Sequence, residues 1–253
     1  MTESNFECSG WKFSSEKGAI LASEERDRWQ KELEIPALPE MIFGDSVLRL
    51  YHQPSGLTFV FEAFDALKKI ARDHESAIRC GAASLWSQRR GPSVSDNPLG
   101  PYDWTYTTTY RGKVSKADGG EVMGSPTEAR IDIERLKGQD PIRFYTDMVL
   151  YEDELHDNGI SVLSVKMRVM PKYVLVLLRF FLRVDGVIIR VHDTRLFHEF
   201  GSRVVLREYR RKEESFSTLV SKLPPEQTCY SDPGTLVDLL PVVEEICESF
   251  NVD

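Results

Sequence analysis

Histidine and cysteine are scarce, 5 and 4 among 253 residues. Cys8, Cys80, Cys229 and Cys247 lie far apart and form no C-x-x-C pair, which excludes a spacing-defined zinc site and a disulfide framework. Of His52, His74, His156, His192 and His198 only the last two are close. Their spacing matches neither the helical i, i+4 pair nor the strand i, i+2 pair that aims two imidazoles at one ion. No metal and no cofactor is expected. No apolar run approaches the roughly 20 residues that cross a bilayer, and the densest, Tyr173 to Phe181, is soon followed by Arg183. The opening "MTESNFECSG" lacks the basic and apolar regions of a secretory leader, so the expected location is the cytoplasm, with the nucleus as a second compartment, and no membrane partner is expected. Basic clusters are few at a net charge of −8, and "REYRRK" at 207–212 is followed at once by Glu213 and Glu214, so nucleic acid is not an expected partner. An acidic chain suits a basic protein partner better. The nucleophile elbow, the phosphate-binding glycine loops and the zinc-protease motif are all missing, and Cys80 with His74 is too weak a pair to suggest a nucleophile; enzyme activity is not expected.

What is present describes a globular chain. With 41% hydrophobic and 28% charged residues the composition is ordinary, and a chain of this size buries about three quarters of its unfolded surface without staples. The patterning predicts one α+β domain over 1–253, mainly antiparallel sheet with flanking helices. "GWKFSS" and "GAILA" read as strands. A helix follows, capped by Ser23, supported by Glu24 and Glu25, stopped before Pro36, with Trp29 and Leu33 on its apolar stripe. "VLRLYH" and "LTFVFEA" form a hairpin about Gln53 to Gly56. A helix is expected from Asp65, its N-cap, to Trp86, with Ala66, Leu67, Ile70, Ala77, Ala82 and Leu85 inward. Residues 87–101 and 115–127, rich in Gly, Pro and Ser, are expected to be mobile loops. Between them "YDWTYTTTYRG" alternates aromatic and β-branched residues, which predicts a strand.

"IDIERLKGQ" reads as a short helix. The acids Glu152, Asp153, Glu154 and Asp157 lack a calcium-loop pattern and are assigned to a strand end with an Asn158-Gly159 hairpin turn. Four strands then follow, "SVLSVKMRVM", "YVLVLLRFFLRV", "VIIRVHDTRLF" and "VVLREYR", before a terminal helix from Pro241 with Val242, Val243, Ile246 and Phe250 inward.

If Asp185-Gly186 is a two-residue turn, Val184 faces Val187, and Leu182 with Ile189, Phe180 with Val191 and Leu178 with Asp193 share one apolar face. Asp193 then interrupts the core face. A carboxylate there costs several kcal/mol unless it is partnered or lies at a rim. Spacing alone allows either a strand end or one wall of a cleft.

The blocks "LPEMIFGDSVLRLYH", "PYDWTYTTTYRG", "LYEDELHDNGISVLSVKMRVMP" and "LLRFFLRVDGVIIRVHDTRLFHE" followed by "LREY" resemble the TIPRL family, the TOR signalling pathway regulator-like proteins, in order over most of the chain. The resemblance implies a non-enzymatic regulator that binds the catalytic subunits of type 2A, type 4 and type 6 serine/threonine phosphatases and acts with their alpha-4 chaperone in TOR signalling. It also implies a groove for the extended C-terminal tail of the phosphatase, which needs backbone partners, apolar pockets and a few charges. Carried over by motif, the partner-binding residues are Asp65 of "FDALK", Ile142 of "PIRFY", Val191 and Asp193 of "VHDTRL", and Tyr209 of "REY". On this reading Asp65 and Asp193 meet at the rim of one groove with Tyr209 close by. The alternative is a TOR-pathway scaffold without effect on phosphatase activity.

Overall fold

Two antiparallel sheets face one another. The computed structural model describes residues 2–70, 103–117, 119–136, 138, 140–223 and 232–253. The first sheet, ordered β1-β2-β4-β5-β6, contains Thr2–Cys8 (β1), Trp11–Lys17 (β2), Val47–His52 (β4), Leu57–Glu62 (β5) and Lys113–Ser115 (β6). The second, ordered β3-β8-β9-β10-β11-β12-β13-β7, contains Met41–Ile42 (β3), Ser125–Pro126 (β7), Phe144–Asp153 (β8), Gly159–Val169 (β9), Tyr173–Val184 (β10), Ile188–Glu199 (β11), Val204–Ser215 (β12) and Val242–Asn251 (β13). Helices are short: Ser23–Leu33 (α1), Ala63–Leu67 (α2), Ile133–Leu136 (α3), Phe216–Lys222 (α4) and Pro233–Leu236 (α5). The α+β class read from the patterning is the one observed.

Period-two alternation explains how the sheets meet. Trp11 and Phe13 of β2 and Phe59 and Phe61 of β5 point inward and pack on Val176, Leu178, Phe180 and Leu182 of β10 and their neighbours in one continuous core. Contacts across the interface include Phe6 stacked on Phe144 at 5.5 Å, Phe59 edge-on to Phe250 at 5.3 Å, and a buried Ser15 to Thr146 hydroxyl bond of 2.7 Å. A second, smaller cluster lies on the other side of the large sheet. There Phe181, Ile189 and Val191 are covered by Leu219 of α4 and by Leu236, Val237 and Leu240.

Several expectations change. "GAILA" is irregular backbone, held by the Leu21 N–H on the Ile42 carbonyl, whereas β1 pairs along the whole of β2 although its side chains are mostly exposed. α1 buries Trp29 and Leu33 as read, but Ala22 holds the cap position and Ser23 is already helical. α2 starts at Ala63 with Glu62 at the cap, so Asp65 lies in the first turn, and it ends at Leu67, short of the expected helix, because Lys68 and Lys69 form a turn and Ile70 bridges to Thr108; the rest of the expected helix, from residue 71 to Trp86, like 87–101, lies outside the described residues. Within 115–127 the chain makes a turn closed by Gly119 N–H on Lys116 O and contributes β7.

The expected strand at 104–110 is a folded loop. Asp103 accepts from the Thr105 N–H and hydroxyl, Tyr106 takes a left-handed φ of 56°, and the Thr105 and Tyr106 carbonyls accept from the Ser161 and Tyr151 hydroxyls. Side chains of β8 and β9 thus satisfy the backbone groups that a strand would have paired with a neighbour.

The expected terminal helix is β13, paired with β12 from Val204↔Asn251 to Lys212↔Val242. Ile246 and Phe250, four apart, share a helix face, but four is also twice the strand period, so the spacing fits both elements. Phe250 is buried in either case; Val242 and Val243, expected inward, are exposed. The 152–158 stretch is also not a two-residue hairpin. A 3₁₀ turn over Leu155–Asp157 intervenes, and Asp153 ties it by accepting from Leu155 N–H and Glu40 N–H.

Candidate functional site

One residue of turn length decides the site. The β10–β11 loop has three residues, with Gly186 at φ 71° and the Val187 N–H on the Val184 carbonyl. Val184 therefore pairs with Ile188, Phe180 with His192 and Arg179 with Asp193, one step from the register expected for a two-residue turn. A one-residue shift moves every side chain to the other face. Asp193 thus leaves the inter-sheet core and lies on the outer face of the large sheet with Arg179, Phe181 and Val191.

There it is fully partnered. Arg179 Nε and Nη2 donate to the two Asp193 oxygens at 2.7 Å each, and Arg195 Nη2 donates at 3.1 Å. Burial disfavours the Arg179 charge, but the bonds to Asp193, helped by Asp232 and Asp238, outweigh it and raise the guanidinium pKa above its ordinary value.

Beyond this pair a strip of half-buried outer surface, the outer groove, leads to a small pocket. Leu175 and Leu177 of β10 and Arg195 and Phe197 of β11 form a half-buried floor. At one end a pocket of about 190 Å³ lies between Ile142, Leu136 and Asp140 on one side and Arg168, Tyr173 and Leu175 on the other. Ile142 is 51% exposed. At the other end the face closes over fully buried Val191. The groove therefore offers apolar surface beside cations.

Ile142, Val191 and Asp193 share this face; Asp65 and Tyr209 do not. Tyr209 pairs with Thr194, the neighbour of Asp193, so its ring points to the opposite, inter-sheet face, edge-on to His192 at 5.8 Å with the Arg111 guanidinium 5.9 Å above it. Burial pushes the Tyr209 pKa up to about 12. Asp65 stands in the first turn of α2, just after β5 of the smaller sheet, 3.9 Å from Lys68 and 3.8 Å from Lys113. It helps hold the Glu62 carboxyl above its ordinary pKa, where burial is the larger cause and the Asp65 charge and hydrogen bond add to it. The expected common rim of Asp65, Asp193 and Tyr209 does not form, because the register shift turns Asp193 away from both. Sequence spacing missed Arg179 as the Asp193 partner for the same reason, and Arg168 because nothing local marks which cations border a pocket.

These features define a two-sheet α+β protein with a small apolar and basic pocket on the outer face of its large sheet. No helix among the described residues is long and apolar enough to cross a membrane, and no group of three metal-ligating side chains occurs among them. The chain belongs to the TIP41-like family, whose model matches residues 41–220. It is 42% identical to a human TIP41-like protein over 239 residues, covering 94% of this chain and 86% of that one. It is 37% identical over 259 residues to the Saccharomyces cerevisiae type 2A phosphatase activator TIP41, covering 94% and 72%, and 26% identical over 223 residues to the Schizosaccharomyces pombe type 2A phosphatase activator tip41, covering 88% and 86%.

Proposed function

We propose that this chain is a non-enzymatic regulator that binds the catalytic subunits of type 2A-family serine/threonine phosphatases. The observation that carries the reading is its 37% identity, over 94% of its length, to a yeast protein named a type 2A phosphatase activator. The finer reading is that an extended C-terminal tail of the phosphatase lies along the outer groove, with type 4 and type 6 enzymes and the alpha-4 chaperone as further partners within TOR signalling. The groove supports it, because an extended peptide needs a side-chain pocket, here the one at Ile142, and nearby charges, here Arg168 and Arg195. The five residues carried over by motif then act by two routes. Ile142 meets the partner directly. Val191, Asp193 and Tyr209, all buried, act by fixing the shape and charge of the surfaces above them, and Asp65 acts from the smaller sheet.

The test is titration of the full chain against a type 2A catalytic subunit with and without its C-terminal tail, followed by a phosphatase assay. Tail-dependent binding that Ile142→Glu weakens is the expected result. Tail-independent binding untouched by Ile142→Glu would move the interface elsewhere, and binding without change in phosphatase activity or assembly would make the protein a scaffold.

A further inference from the structure

The inter-sheet side of β11 to β13 carries polar groups that the groove does not use. The Tyr209 hydroxyl is buried, with the residue 2% exposed, and has no hydrogen-bond partner among the described residues; neither has Nε2 of the adjacent His192, at 4%. His192 Nδ1 lies 2.8 Å from the Thr108 carbonyl, which can only accept, so Nδ1 carries the proton and Nε2 presents a bare lone pair. Burial reinforces the neutral form by holding this imidazole far below its ordinary pKa. One unsatisfied donor and one unsatisfied acceptor thus belong to neighbouring rings whose centres are 5.8 Å apart. Two such buried groups are costly unless something meets them.

The charges around them are unbalanced. Arg111 and Arg207 share one oxygen of Glu248, at 3.0 Å and at 2.9 and 2.8 Å. Arg190 holds Glu213 at 2.7 Å, and Arg211 Nε lies 3.6 Å from Glu244, with no hydrogen bond to it among the described residues. Among the described residues four guanidiniums therefore face three carboxylates, in a chain whose net charge is −8. Arg211 and Glu244 are 36% and 41% exposed and form the open side of the cluster.

We propose that this cluster is a binding site for a phosphate group in its singly protonated form. Such a group offers charged oxygens to the Tyr209 hydroxyl and to Arg111 and Arg211, and one P–OH donor to His192 Nε2. Sulfate and carboxylate anions lack that donor at neutral pH and set a lone pair against Nε2. The site lies on the face opposite the groove; Tyr209 is the one residue it shares with the phosphatase reading, and phosphate binding is measured without any phosphatase.

The test follows binding to the full chain by calorimetry and thermal unfolding, using inorganic phosphate, sulfate, acetate and a short neutral peptide carrying one phosphoserine. Wild type should bind phosphate saturably, with sulfate and acetate weaker by about tenfold or more. Tyr209→Phe and Arg211→Gln should each weaken phosphate binding by about tenfold, and ligand-free Tyr209→Phe should unfold no earlier than wild type, since it loses only an unsatisfied hydroxyl. A phosphopeptide that binds more tightly than inorganic phosphate identifies a modified chain as the source; the reverse order identifies the free ion. Should Tyr209→Phe fail to fold, the half-exposed Arg211→Gln decides. Absence of saturable binding by any phosphate, or phosphate binding unchanged in Arg211→Gln and in folded Tyr209→Phe, overturns the proposal and leaves buried water as the partner of both groups.

Discussion

Arg179 and Asp193 stand directly opposite on β10 and β11, joined by two parallel hydrogen bonds of 2.7 Å on the outer face of the large sheet. The Asp193 side chain is 3% exposed and that of Arg179 15%, so neither charge has much water to fall back on. Asp193→Ala leaves a guanidinium buried without its carboxylate and should lower stability by about 3–5 kcal/mol. Urea unfolding measures this. A loss below about 1 kcal/mol, the range of exposed ion pairs, would mean that water reaches Arg179 freely. Lost partner binding in this variant is informative only beside its unfolding curve.

Ile142 gives the cleaner probe of the groove. Half-exposed at the mouth of its pocket, it contributes little to the core, and Ile142→Glu should change unfolding free energy by no more than about 0.5 kcal/mol. Affinity for a type 2A catalytic subunit should fall by about tenfold or more, the size expected for an anchor residue. Binding equal to wild type would remove this pocket from the interface.

His192 predicts a pH dependence with a defined sign. Burial lowers its folded pKa to about 3, from an ordinary value of 6.5, while the unfolded imidazole titrates normally. As pH falls from 6.5 toward 3 the unfolded state takes up a proton that the folded state refuses. Stability from this group is therefore full above pH 6.5 and declines below it by about 1.4 kcal/mol per pH unit. His52 and His198, both lowered by burial beside Trp11, act in the same direction. Unfolding of His192→Gln between pH 4 and 7 should show a shallower slope than wild type; parallel curves would contradict the assignment.

Gly159 opens β9 at φ 155°, and a Cβ there would stand 1.9 Å from the Arg183 carbonyl oxygen. Gly159→Ala must displace the paired backbone of β10 and should cost at least about 2 kcal/mol. An unchanged melting temperature would show that this strand end shifts freely.

The strands from Phe144 to Ser215 were readable because long runs of β-branched and aromatic residues broken by Asn-Gly and Asp-Gly have few other ways to bury themselves. The folded loop at 103–110 was not. Its alternation suits a strand, but its backbone partners are hydroxyls of Tyr151 and Ser161, roughly fifty residues later in the chain. β13 was hidden likewise, since a spacing of four satisfies both helix and strand until β12 supplies hydrogen bonds along one edge. Of the candidate site, local motifs marked Asp193 and Ile142 individually but could not place them on one face.

By itself the sequence determined the α+β class, the run of long antiparallel strands and the family, because these rest on local propensity and on ordered motifs. Tertiary structure alone decided which face Asp193 occupies. A dipeptide Asp185-Gly186 permits loops of two or three residues, and the choice between them is made by what the flanking strands bury. The three-residue loop sends Phe180 and Leu182 into the inter-sheet core and Phe181, Ile189 and Val191 under the C-terminal helices, and with them it carries Asp193 to Arg179.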